Sequence, residues 1–456
     1  MTLMTPKKPG ATGETSPAVT GIPYFRTGRL WRLSLYSVLF AVSLAFLVSS
    51  NCLLAQDTVA DHEASESDSQ QPADEADTET EDELHSAISD SVRSMFQEKE
   101  TPYSHIRWGT KVYVDAPLGN EPAGADLTLR KAELKLSRAF GKNFQVKLSG
   151  NYNHGELQAG DSYLVYTGWK AAILTAGVQD PPFSLEAGTT SSAVTFMENA
   201  LPVAALSENK NAGVDFLKRT SRQIFNASWV FYNPRQQGVS EIGQALVGRY
   251  VYSPINFHEH KNIHLGASLS YRFLKSTATV QLRSRPEVAT SDVFYVDTGS
   301  IMDGKAVVRA GLEASQIAGR FSWQSELLAS RVTRDNADTL EFWGVYFHLS
   351  HFLTNDSRNY DKGSGTFINV IPNSPIGKGG LGAFEIAFRA SYTDLTDKDI
   401  VGGSESNLSL GFNWYLNDKF RVMFNAIKVL DVNRPNSEYD GLDPMIFALR
   451  TQWLVF

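Results

Sequence analysis

Residues 404–416 read SESNLSLGFNWYL. From Asn407 onward, Leu408, Leu410, Phe412, Trp414 and Leu416 alternate with Asn407, Ser409, Gly411 and Asn413, so a strand built from them has one apolar face and one polar or small face. The texture recurs. Phe384, Ile386, Phe388, Ala390 and Tyr392 stand against Glu385, Arg389 and Ser391; Leu265, Ala267, Leu269, Tyr271 and Phe273 stand against Gly266, Ser268 and Arg272; and Phe225, Ala227, Trp229 and Phe231 repeat it once more.

Such strands also build soluble sandwiches, so other features must decide. These windows run to about 9–15 residues, long for soluble sheets and matched to a tilted bilayer span. Aromatic residues fall near strand ends, among them Trp108, Tyr166, Trp169, Trp414, Tyr415 and Trp453, where interfacial girdles belong. The polar faces carry Lys147, Arg249, Arg272, Arg309, Glu313 and Arg389, charges that a dry core would have to pair and that a wet lumen can solvate.

Connection lengths point the same way. Gly141-Lys142, Lys170-Ala171, Thr220-Ser221, Ala318-Gly319 and Asn417-Asp418 are tight, whereas 180–211, 274–304, 395–403 and 434–441 are long. Short turns on one side and long loops on the other predict an all-β, antiparallel transmembrane barrel of about sixteen strands across 103–456. An even count leaves both ends on the periplasmic side. One long link, 355–380, falls among the short turns.

The chain ahead of this region is built differently. Arg29 and Arg32 precede the apolar run Leu33–Val48, and Leu53-Leu54-Ala55 offers a cleavage site before Gln56, so 1–55 reads as a signal peptide with an N-terminal extension. Lipoprotein attachment through Cys52, the only cysteine, is the rival reading; Asn51 ahead of it is bulky where small residues are usual. Residues 56–83 form an acidic linker too poor in apolar groups to fold. Leu84, Ile88, Val92 and Met95 then give 84–102 the stripe of a short amphipathic helix.

Charge sharpens the picture. The net −8 divides into +4 over residues 1–56, −12 over 57–83 and zero over the remainder. A neutral barrel domain argues against nucleic acid as a partner.

Several stretches resemble the phosphate-selective porin O and P family. The densest is Gly177–Phe216, GVQDPPFSLEAGTTSSAVTFMENALPVAALSENKNAGVDF; others are Leu129–Leu134 (LRKAEL), Asp161–Tyr166 (DSYLVY), Gly248–Pro254 (GRYVYSP), Arg285-Pro286-Glu287, His351–Tyr360 (HFLTNDSRNY), Asn413–Asn417 (NWYLN) and the ending RTQWLVF. The resemblance implies a homotrimeric outer-membrane channel, not an enzyme, with the third and fifth loops and one periplasmic link folded into the lumen. It also implies passage of inorganic phosphate or other small anions without a cofactor.

The family's basic pair matches Arg130 and Lys131, and its acid matches Asp161. Its loop lysine does not carry over. Ser191-Ser192 is followed by Ala193, and the nearest loop cation is Lys210, so a weak phosphate preference is expected. Strict alternation puts Lys131, Glu133 and Lys135 on the polar face, so Arg130 reaches the lumen only through a bulge or a strand end. Acids at Glu133, Glu313, Glu326, Glu341 and Glu385 are expected to mix the lumen field. Arg283, Arg285 and Arg309 could form a separate binding ladder.

Two other readings stay open: a plugged structural or adhesive barrel, and a barrel enzyme. No Ser, His and acid spacing singles out the latter. His258-Glu259-His260 with His264 is dense enough to consider for a metal but lies largely in a connection, and His348 and His351 fall on opposite faces of one strand.

Overall fold

Each alternating segment pairs with its sequence neighbours, and the first pairs with the last. The computed structural model describes residues 106–118, 127–153, 156–232, 243–255, 260–275 and 278–455. The expected signal segment 1–55 with Cys52, the linker 56–83, the helix 84–102, and residues His258, Glu259 and Phe456 lie outside the described residues.

Sixteen staves follow in order: β1 (Arg107–Pro117), β2 (Thr128–Phe140), β3 (Phe144–Asn153), β4 in two pieces (Glu156–Ala159 and Ser162–Tyr166), β5 (Ile173–Gln179), β6 (Asn211–Arg219), β7 (Gln223–Tyr232), β8 (Gly243–Tyr252), β9 (Lys261–Leu274), β10 (Gly304–Ala318), β11 (Phe321–Arg334), β12 (Leu340–Phe352), β13 (Ala383–Asp397), β14 (Ile400–Tyr415), β15 (Phe420–Asn433) and β16 (Met445–Val455). All neighbours are antiparallel, and Thr110 opposite Val455 closes β1 on β16. Closure leaves no open sheet edge, which a lipid interior could not satisfy.

Outward side chains are the apolar set read from the sequence. Aromatic pairs ring the turn end, Phe384 on Trp414 at 5.7 Å and Phe420 on Trp453 at 5.9 Å between centroids, and the loop end, Tyr271 on Phe273 at 4.6 Å and Trp343 on Tyr392 at 5.3 Å. Tyr415 is an exception to the expected girdle. It points inward, is buried, and donates to Glu385 Oε2 at 2.8 Å. In β16, Arg450 and Gln452 share the inner face with Ile446, Ala448 and Leu454, while Leu449, Thr451 and Trp453 face out.

Two expectations fail on the outer wall. The link expected at 395–403 is a two-residue hairpin, with Asp397 opposite Ile400 and Lys398 at φ 50°. Strand pairing continues through Thr396 and Val401, where polar side chains and Gly402-Gly403 hide the alternation. Glu341 lies on the outer phase of β12, exposed near Arg331, so it adds nothing to the lumen.

Three inserts enter the barrel. The 180–210 loop carries helices α1 (Leu185–Gly188) and α2 (Leu201–Leu206), the 275–303 loop carries a short ladder of Arg283–Ser284 on Val296–Asp297, and the 353–382 link carries another of Asn359–Asp361 on Thr366–Ile368. Inward Val230, Val247, Val307, Leu328 and Phe342 pack with Val203 and Leu206 of α2 and with Val280, Leu282 and Val296 of the 275–303 loop. This part of the inner face is an apolar cluster sealed by the inserts. The remaining open lumen runs along β1–β4 and β16.

Candidate functional site

The open space is a cavity of about 430 Å³ whose lining includes Lys111, Arg130, Lys131, Lys135, Lys147 and Asp161 from the wall and Thr190, Ser191 and Glu198 from the 180–210 loop. Seven cations and four carboxylates line it, so positive charge is in excess.

A bulge in β2 supplies one of those cations. Tyr113 pairs with Lys131 and the next residue, Val114, pairs with Leu129, leaving Arg130 as an extra residue between them. Both Arg130 and Lys131 therefore reach the cavity from consecutive positions, which a regular strand forbids. Arg130 forks onto Glu198, Nε to Oε1 and Nη2 to Oε2, both at 2.9 Å. Lys131 bridges Glu133 at 2.9 Å and reaches Ser191 Oγ at 3.3 Å.

Asp161 also stands at a bulge. Gly150 pairs with Ala159 but Lys147 pairs with Tyr163, so β4 carries one residue too many around Gly160 and Asp161. Gly160 lets the bulge lie close against Ser149, whose Oγ would be 2.1 Å from a Cβ at this position. Asp161 accepts from Lys147 at 2.8 Å and from Lys210, which also bonds Asp180 at 2.7 Å. Burial works against the Lys210 charge, but Asp180 and Asp161 outweigh it and raise its affinity for the proton. Lys210 is thus a neutralised strut.

The three arginines considered for a separate ladder are engaged away from this cavity. Arg309 is buried and bonds Glu208 at 3.0 Å, sharing that carboxylate with Arg272 at 2.5 Å; together they tie the end of the 180–210 loop to the barrel wall. Arg283 and Arg285 stack on Phe294, their guanidinium carbons 4.1 and 4.8 Å from its ring centre, and Arg285 also meets Asp292 at 3.3 Å. None of the three lines the cavity.

Lys111, Lys135 and Lys147 complete the cationic wall; the sequence placed Lys135 and Lys147 on polar faces without assigning them to the constriction, and Lys111 was not singled out. Their signal was present as in-phase lysines in the neighbouring strands TKVYVD (110–115), RKAELK (130–135) and QVKLSG (145–150). Lys111 lies opposite Glu133 in the β1–β2 ladder and its Nζ reaches Thr190 Oγ1 at 2.9 Å. Lys135 crosses Gly109, where any Cβ would fall 2.5 Å from its Cε.

The loop opposite is held rigidly. Glu326 accepts from the backbone N–H groups of Leu185 and Glu186 at 3.0 and 2.8 Å, satisfying the start of α1. Arg421 donates to Val194 O at 2.8 Å, Arg389 to Glu198 O at 3.0 Å, and Arg450 to Met197 O. Arg450 also joins Asp115 at 2.6 Å and Glu198 at 2.6 Å. Ala193 is buried outside the cavity lining, its carbonyl accepting from Arg358 at 3.3 Å.

The histidines do other work. His264 bonds Tyr360 Oη at 2.6 Å and Glu313 at 2.9 Å, and His260 Nδ1 meets Ser357 Oγ at 2.8 Å, both bracing the 353–382 insert.

The sequence profile of the phosphate-selective porin O and P family matches residues 103–454. The chain belongs to that family. With its closed barrel it is therefore an outer-membrane porin. An uncharacterized protein of Caulobacter vibrioides is 29% identical over 339 residues, 68% of this chain; the match spans about 65% of that relative's length. Porin O of Pseudomonas aeruginosa is 25% identical over 355 residues, covering 68% of this chain and 79% of its own. Among solved structures, an anion-selective porin from Comamonas acidovorans aligns over 78% of this chain and 100% of its own at 10% identity, with a TM-score of 0.48.

Proposed function

We propose that this porin is an anion-preferring diffusion channel with only a weak preference for phosphate. The observation that carries the reading is the wall of Lys111, Lys131, Lys135 and Lys147 on three adjacent strands, with Lys111 and Lys131 hydrogen-bonded to the hydroxyls of Thr190 and Ser191 on the inserted loop. Fixed cations in a narrow, low-dielectric passage raise the local concentration of anions and repel cations.

Weak phosphate preference follows from the kind of cation. Lysine ammoniums are compact point charges that attract an anion without clamping it, whereas a guanidinium grips phosphate through two parallel N–H groups. The guanidinium of Arg130 is already forked onto Glu198, and the loop position of the family's lysine is Ala193. Phosphate and other small anions are attracted but not held.

In this reading the basic and apolar 1–55 segment exports the protein, and the family resemblance adds that it works as a homotrimer in outer-membrane lipid, with no cofactor and no catalysis. The test is the zero-current potential of purified channels in a salt gradient, with phosphate titrated against chloride conductance. Anion preference with millimolar block supports the reading. Micromolar block overturns the weak site, and cation preference overturns the function.

A second reading keeps some support from the three inserts and the apolar cluster they pack on, namely a plugged barrel with a structural role. Absence of solute flux through reconstituted trimers would favour it.

A further inference from the structure

Glu198 stands where an anion passing Arg130 would stand. Its two carboxylate oxygens take the Nε and Nη2 donors of Arg130 at 2.9 Å each, and Oε1 also accepts from Arg450 Nη2 at 2.6 Å. This is the forked, two-oxygen geometry by which a guanidinium binds a phosphate or a free carboxylate. Glu198 and Arg130 both line the open cavity, and each side chain keeps 21% of its surface exposed to it. Arg450, at the edge of the same cavity, is more deeply buried and is paired with Asp115 as well.

The backbone around Glu198 does not depend on its carboxylate. Arg389 donates to its carbonyl at 3.0 Å, Arg450 to the carbonyl of Met197, and Arg421 to that of Val194 at 2.8 Å. Four bonds of side chain are then anchored at one end and carry a charge at the other. The head group can leave Arg130 while the loop stays in place.

We propose that Glu198 is a tethered competitor anion and the residue that sets how tightly the pore holds what it conducts. A phosphate or small carboxylate in transit binds Arg130 by displacing the Glu198 carboxylate, which returns once the solute moves on. Arg130 is thus re-paired with Glu198 after every passage, and a strongly binding anion cannot lodge beside it. The inference rests on the anion-channel reading above and adds the residue that limits retention.

The test uses the assembled full-length channel in planar bilayers, with inorganic phosphate as the probe. Glu198→Gln keeps the size and removes the competing charge, and it should lower the half-blocking phosphate concentration by about tenfold. In an Arg130→Ala background the same change should have no effect on block. If Glu198→Gln does not assemble, Glu198→Asp, which shortens the reach, should shift block in the same direction by less. Unchanged block in an anion-preferring Glu198→Gln channel overturns the proposal, as does an equal shift without Arg130. A cation-preferring wild type overturns the channel reading on which it rests, and that outcome is recognised before any variant is compared.

Discussion

Arg130 and Glu198 meet across the lumen as a forked ion pair, the one extruded from the wall by a bulge and the other carried by the inserted loop. This single contact joins the cation wall to the segment opposite it. Its electrostatic surroundings decide how the pore responds to pH. Burial pushes the Glu198 carboxyl upward, but the Arg130 and Arg450 guanidiniums overcome it and hold the group well below the ordinary carboxylate range. An acid lowered in the folded state contributes its stabilisation above its unfolded value, about 4.3, and loses it only as pH falls through the folded value. Zero-current potentials measured between about pH 5 and 8 should therefore show no step from Glu198.

Removing the charges of the wall should reduce anion preference additively with position. Lys111→Ala and Lys135→Ala each remove a cavity cation beside Glu133, the first opposite it on β1 and the second two residues along β2, and each should move the zero-current potential toward the cation side. Arg130→Ala with Lys131→Ala should move it further. An unmoved potential in the double variant would take that pair out of the conduction path.

Restoring the family's loop lysine should not restore tight binding. Ala193 is buried outside the cavity and its carbonyl is engaged by Arg358. Ala193→Lys introduces a charge into a site without room to solvate it. The expected outcome is a reduced yield of heat-modifiable trimer on gels, without stronger phosphate block of the channels that do assemble.

The outer wall can be tested with one pair of substitutions. Leu410 faces outward and is exposed, so Leu410→Arg should cost roughly 2–4 kcal/mol near the bilayer midplane and lower the assembled fraction. Asn151→Arg faces the cavity and should assemble normally.

The loop anchor should matter to stability more than to selectivity. Glu208→Ala removes the buried carboxylate shared by Arg272 and Arg309, and breaking such a network costs roughly 3–5 kcal/mol. The temperature at which the barrel unfolds on gels should fall, with the zero-current potential nearly unchanged.

Much of this architecture was readable from period-two alternation, because a lipid-facing side must be apolar at every second residue along a stave. Leu408 to Trp414 and Phe384 to Tyr392 announce their outer faces directly. The inner face was less legible. Val230, Val247, Leu328 and Phe342 point into the barrel because α2 docks on them, and nothing in their own strands reports the arrival of Leu206. Lys111 was missed for a related reason: its partner Thr190 is 79 residues away. Arg130 was readable only as a condition, since alternation excluded it from the lumen unless a bulge intervened, and the bulge depends on Val114 pairing past it with Leu129.

That bulge gives the stave an unusual arithmetic. Leu129 still faces out and Lys131 still faces in, so excising Arg130 would leave every other side chain on its present side. A substitution can only exchange one inward group for another, but a one-residue insertion of this kind adds a group to a wall that is otherwise full. Charge density along such a channel can then grow or shrink by gain and loss of single codons without rethreading the sheet.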